Sequence, residues 1–328
     1  MRFALAVLLI LALVLSGAAQ PRRPAGGGPQ MPQILERYPV LRKMIEAQNR
    51  LRFSGLRVVE IRLGPDRERN TEIVLRDGPL QRTEFTQDSP NAGQIIVENA
   101  QRRRHFFPAT NEIQVLPARR DEVQSRMRVL LRQIVDGTLR LRVEPGGEVA
   151  ARRTQLAHFE DPKGNPVQRL WIDAETGMLL KRELFDPVGS RMGYFEFKRI
   201  NYRPTFTPDD FEIVRKGARL VTLDDQIRIM SRRLGIPPVR IPDSDDLHLE
   251  SVRPLELGST RAMMQTYTGE RGRVTLYHVA GSIDPQRLRR LAGDSNLQVY
   301  SWEDNGRTLA LVGDIPASEL ERLSRTIR

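Results

Sequence analysis

The sequence predicts an α+β chain: an N-terminal unclosed antiparallel β half-barrel with a helical lid, followed by a smaller C-terminal α+β domain. Three observations predict it. Apolar residues switch from helical spacing to alternation at Phe53 and keep alternating, with one helical interruption, to about residue 213. Only two amphipathic segments, 34–51 and 119–135, are then available to cover that long sheet, which curls and takes the helices over its mouth. Beyond residue 216 a helix and the Pro- and Asp-rich stretch GIPPVRIPDSDD mark a second boundary.

The elements follow in order. Met1 and Arg2 precede an apolar run from Phe3 to Leu15, and Ser16, Gly17, Ala18 and Ala19 supply small residues for cleavage, so 1–19 reads as a secretory signal peptide. The run is too short for an ordinary membrane-spanning helix, and the mature protein is expected to be exported and soluble. Residues 20–32, QPRRPAGGGPQMP, read as a flexible tether. Ile34, Leu35, Tyr38, Leu41, Ile45 and Leu51 recur at helical spacing, with Pro39 kinking the first turn.

Strands are expected in FSGLRVVEIRL, in two runs around Asp77, Gly78 and Pro79, and in GQIIVENAQRRRHFFPATNEIQVLP, broken at Pro108 to Asn111. Val123, Met127, Leu130, Leu131 and Ile134 then share one face of a helix over 119–135. Strands resume in TLRLRVEP, VAARRTQLAHFED, VQRLWIDAETGMLLKRELFD and RMGYFEFKRINY, with EPGGE read as a hairpin turn. The remainder holds a helix over 220–234, strands near 255–257, 262–268, 273–280, 297–302 and 308–313, and helices from Asp284 and over 317–327. The chain thus divides into 1–19, 20–32, a first domain at 33–215, a helix and linker at 216–250, and a second domain at 251–328.

At 328 residues and 39% hydrophobic, the chain can bury one or two cores. It has no cysteine, which excludes disulfides and an acylated lipoprotein anchor. The net charge of +11 comes almost wholly from arginine. With export, that favours anionic lipid headgroups, lipopolysaccharide or an acidic protein segment over nucleic acid. A genome that writes Arg for Lys on a solvated surface explains the same charge.

Catalytic apparatus is not visible. His105, His158, His248 and His278 stand singly, without the HxH or HExxH spacing that puts two imidazoles on one metal. No GxSxG elbow, GxxxxGK[ST] loop or GxGxxG fingerprint occurs. The DSDD stretch at 243–246 lacks the glycine and distal glutamate of a calcium loop. The expectation is a protein that is not an enzyme and needs no cofactor or metal. The remaining feature is basic: Arg102, Arg103, Arg104, Arg120, Arg128 and Arg132 fall on the loop and helix placed over the sheet's mouth. If they converge, they make a cationic rim around an apolar space, suited to an amphiphile with an anionic head or an acidic partner segment.

VQRLWIDAETGMLLKRELFDPVGSRMGYFEFKRINYRPTFTPDDFEI, with its Trp-Asp strand, TG turn, LLKREL strand and aromatic strand, resembles the corresponding part of the periplasmic RseB/MucB family of sigma-factor regulators. LRFSGLRVVEIR after an amphipathic helix is similar to the start of that family's first domain, and MMQTYTGERGRVTLYHVAGSIDPQRLRRLA looks like its second. The wider superfamily includes the LolA lipoprotein carriers, unclosed barrels with a helical lid over a hydrophobic cavity. The resemblance implies a periplasmic, non-enzymatic regulator that binds the exported segment of a membrane-anchored anti-sigma factor, with lipopolysaccharide, lipid or lipoprotein acyl chains as further partners; a homo-oligomer is compatible with it. On this reading Met127, Leu130, Leu131 and Ile134 line the lid, and Trp171, Leu179, Leu184, Phe195 and Phe197 are the sheet-face candidates, subject to a one-residue choice of strand polarity. A plain carrier of lipids or lipoproteins is the alternative; a scaffold whose apolar face is simply a packed core is a third.

Overall fold

The computed structural model describes residues 31–47, 50–63, 66–118, 122–244, 247–257, 260–269, 272–283 and 297–327. The signal peptide, most of the tether, Arg120, Asp245, Asp246 and the expected helix from Asp284 lie outside the described residues. Among the described residues the chain forms two compact units, one within 31–111 and 118–218 and the other within 112–117 and 219–327.

The first unit opens with two helices, α1 (Met31–Arg37) and α2 (Pro39–Ala47). They break at Tyr38 because a proline follows it and the residue before proline is driven out of helical geometry. Helix α1 takes up Met31 and Pro32 from the end of the expected tether. The strands are β1 (Arg52–Leu63), β2 (Asp66–Asp77), β3 (Leu80–Phe85), β4 (Ile95–Glu98) and β5 (Arg102–Phe107), then β7 (Arg140–Val149), β8 (Arg152–Glu160), β9 (Pro166–Asp173), β10 (Leu179–Phe185) and β11 (Arg191–Asn201). Between the two sets lie β6 (Glu112–Pro117), which belongs to the second unit, and α3 (Glu122–Val135). In the first unit the strand order runs β5-β4-β3-β2-β1-β11-β10-β9-β8-β7, with antiparallel neighbours and no closure.

The expected turn at EPGGE is a correction. Strand β7 runs through Pro145, Gly146 and Gly147 with a shift of register between Pro145 and Glu148, and the reversal falls at Ala150 and Ala151. Both alanines have positive φ, 53° and 57°, the geometry a two-residue hairpin imposes on whatever residues occupy it. Alanine carries no sequence signal for that conformation.

In the second unit, β12 (Arg219–Val221) pairs in parallel with β6. Helix α4 (Leu223–Leu234) starts at a Thr222/Asp225 capping box and stops at Gly235, whose φ is 68°. Strands β13 (His248–Leu257), β14 (Thr260–Gly269), β15 (Gly272–Val279), β16 (Gln298–Asp304) and β17 (Arg307–Gly313) form a sheet ordered β13-β14-β15-β17-β16, and α5 (Ala317–Ser324) follows. Ile227, Ile241, Met263, Tyr267, Leu276, Leu311 and Leu320 make its main core, which is separate from the cores of the first unit.

Candidate functional site: an apolar sheet face under three helices

Helices α1, α2 and α3 bury one stripe each. Ile34, Leu41 and Met44 of the first two, and Met127 and Leu131 of α3, are 4% exposed or less. They pack with Ala157, Phe159, Leu170 and Ile172 of β8 and β9. Leu130, Ile134 and Leu179 lie partly buried against the same cluster. A second cluster joins Phe53, Val74, Met178, Leu180 and Phe197, with Trp171 and Phe195 partly buried beside it.

The candidate residues therefore divide. Met127, Leu130, Leu131, Ile134 and Leu179 belong with the helix-covered cluster, whereas Trp171, Phe195 and Phe197 belong with the second. Leu184 is partly buried and in neither. On β9 the side chains that meet the helices are those of Leu170 and Ile172; Trp171 stands between them and, by the period of two, points to the opposite face.

The turn after Trp171 anchors α2. The Asp173 carboxylate accepts from the backbone N–H groups of Glu175 (2.8 Å) and Thr176 (3.0 Å), from Arg152 Nε (2.8 Å) and from the Tyr202 hydroxyl (2.9 Å). Burial pushes this carboxyl upward, but the Arg152 guanidinium, the two amides and Tyr202 outweigh it and hold the group below its ordinary value. Gly177, at φ 78°, closes the turn where a Cβ would stand 2.7 Å from the Lys43 carbonyl oxygen, and Lys43 Nζ donates to the Ala174 carbonyl at 2.8 Å. The DAETG stretch thus seats the end of α2 on the sheet.

The helix-covered face is not uniformly apolar. Leu170, Arg182, Phe195 and Val59 are successive cross-strand partners and so share it. Arg57 Nε donates to Glu72 at 2.7 Å, and its guanidinium lies 5.7 Å from the Phe195 ring centre and 6.0 Å from that of Phe197. Glu72 is 1% exposed, so this charge is retained in the interior only because it is paired. Arg182 donates to Gln168 at 2.9 Å. Sequence reasoning missed these groups; the one available signal was a charged residue at an inward-facing position of an alternating strand.

The arginines expected to form a rim occupy different faces. Arg102 is exposed, while Arg103 is buried opposite Glu98 in the β4–β5 ladder. Arg104 points the other way, 2.5 Å from the Glu212 carboxylate, which it holds below its ordinary value. Arg132 is exposed on α3, and the side chain of Arg128 lies outside the described residues. His105 meets Gln94 at 2.9 Å and lies against the Phe107 ring, and His158 meets Glu144 at 2.8 Å, ordinary partners within the sheet. No group of three or more His, Asp or Glu among the described residues is placed to hold a metal ion, and no helix among them is long and apolar enough to cross a membrane.

No family model matches the sequence, and no curated protein does. Solved structures similar to this chain include the Pseudomonas aeruginosa MucA/MucB complex, at 18% identity and a TM-score of 0.46 over 88% of this chain and 97% of that one. MucB is similar at 17% identity and 0.44, over 89% and 98% of the two chains. A LolA-superfamily protein from Nitrosomonas europaea is similar at 12% identity and 0.26, over 53% of this chain and 96% of its own.

Proposed function

We propose that this chain is a non-enzymatic regulator of envelope stress signalling, exported to the periplasm, which binds the exported segment of a membrane-anchored anti-sigma factor and responds to lipid or lipoprotein amphiphiles. The observation that carries the reading is the apolar face of an unclosed sheet covered by helices rather than by a second sheet. Met127 and Leu131 hold α3 on Leu170 and Ile172 through apolar contacts, so an acyl chain can replace a helix side chain with little loss of burial. The sequence resemblance to RseB/MucB regulators, and the second unit with its own core, support a regulator over a plain carrier. The effect of the amphiphile is linkage: it weakens the partner complex by the difference in its affinity for the free and bound protein.

Cross-linking of the tagged protein in intact cells, with mass spectrometry of what co-purifies, tests the reading. Recovery of a single-span membrane protein with an exported acidic or apolar segment is expected. Recovery of many lipoproteins without such a partner replaces the regulator by the carrier. Leu130→Asp with Ile134→Asp is expected to abolish uptake of a fluorescent acyl-chain probe, and unchanged uptake removes α3 from the lid.

A further inference from the structure

The face of the sheet turned away from the helices carries a concentrated pattern. Trp171, Lys181, Glu196 and Val58 are cross-strand partners on that face, alternating with the helix-covered set. Within it, the Glu183 carboxylate gathers three cations, Arg191 at 3.1 Å, Lys181 at 3.3 Å and Arg169 at 3.8 Å. Each of the three also lies over an aromatic ring: Lys181 4.4 Å from the centre of Trp171, Arg191 4.7 Å from Tyr194 and Arg169 5.0 Å from Phe185. Three of the nine cation–ring pairs among the described residues thus surround one carboxylate.

One carboxylate does not neutralise three cations. Glu196 adds a second, but it is shared between Lys181 and the exposed Lys198. Arg169 and Arg191 keep 38% and 44% of their side-chain surface open, so the surplus charge faces water. The rings beneath restrict the guanidinium groups and lower the entropy lost when an anion binds them.

We propose that this face docks the first unit on an anionic bilayer surface, with lipid phosphates taking up the surplus charge of Arg169, Lys181 and Arg191. A peptide docks along a sheet edge or in a groove. Strands β9, β10 and β11 are interior strands, paired on both sides, and offer no edge. Cations spread over adjoining strands match a plane of phosphates, and Trp and Tyr rings suit the headgroup layer, where one side is wet and the other apolar. The proposal is independent of the regulator reading and can fail without it.

The test is co-sedimentation of the full mature chain with vesicles of phosphatidylglycerol mixed into phosphatidylcholine, against vesicles of phosphatidylcholine alone. Binding is expected to be at least about tenfold stronger to the acidic vesicles and to fall with salt. Arg169→Gln with Arg191→Gln should remove most of that preference. Glu183→Gln, which deletes the internal counter-charge, should strengthen it; this opposite sign separates docking from misfolding. Arg322→Gln with Arg325→Gln removes the same charge from an exposed helix of the second unit and should leave binding unchanged. Equal loss in both double variants would reduce the effect to net charge and overturn the proposal. So would equal binding to both vesicles, or retention of a soluble polyglutamate peptide without retention of vesicles.

Discussion

Acidification below pH 6.5 is expected to destabilise the second unit through His278. This side chain sits on β15 between its cross-strand partners Met263 and Leu309, is 0% exposed, and has no hydrogen-bond partner on either ring nitrogen among the described residues. Burial, reinforced by the nearby Arg307 guanidinium and opposed by Asp304, holds its pKa down to about 4 from the ordinary 6.5. The unfolded chain therefore binds a proton between these values that the folded unit refuses. Stability is complete above pH 6.5, falls as the pH drops through the window, and levels off near pH 4 with a loss of about 3 kcal/mol. The assay is urea unfolding of Trp171→Phe protein, which leaves Trp302, packed against the second unit's core, as reporter. His278→Leu should flatten the dependence between pH 6.5 and 4, and it should not weaken the unit at pH 7.5, because an unpaired polar imidazole gives way to an aliphatic side chain with no polar atom to satisfy. An acid slope unchanged by His278→Leu would refute the reasoning.

The first unit offers three further tests, each read by unfolding of Trp302→Phe protein through Trp171. Gly177→Ala should cost more than about 2 kcal/mol, since it adds a Cβ against the Lys43 carbonyl at positive φ, whereas Gly164→Ala, at φ 89° with open space around it, should cost only about 1 kcal/mol. Asp173→Asn should cost about 2 kcal/mol at neutral pH by weakening its bonds to Arg152 and the turn amides. Because the Asp173 pKa is depressed, that difference from wild type is full above the ordinary carboxylate range and vanishes once acid protonates the native carboxylate. Leu131→Ala, at a site 1% exposed, should cost about 3 kcal/mol; a change under 1 kcal/mol would mean that α3 is not held by the cluster described.

The sheet was legible because its strands alternate over long stretches, as in Tyr194 to Ile200, and the helices because Ile34, Leu41, Met127 and Leu131 recur at helical spacing, although Met44, as buried as these, was not singled out. The hairpin at Ala150 and Ala151 was not, since tertiary pairing of β7 with β8 forces positive φ on residues with no preference for it. Strand β12 is three residues long and has no period to read; it exists because β6 supplies its backbone partners. Charge was the least legible. Arg102, Arg103 and Arg104 form one basic run in sequence, yet a strand sends neighbours to opposite faces, and the internal Arg57–Glu72 pair depends on two strands meeting in register.

The position of β6 also bears on how the protein is made. Its residues emerge from the ribosome between β5 and α3, but Glu112 is 107 residues ahead of its ion-pair partner Arg219 on β12. A chain that folds as it appears can complete the β1–β5 hairpins early, but the α1 and α2 stripes must wait for β8 and β9, β1 for β11, and β6 for β12. Closing so long a loop is slow relative to the hairpins on either side. Until β12 emerges, β6 lacks that parallel partner, and a chaperone or a protease has time to act on it.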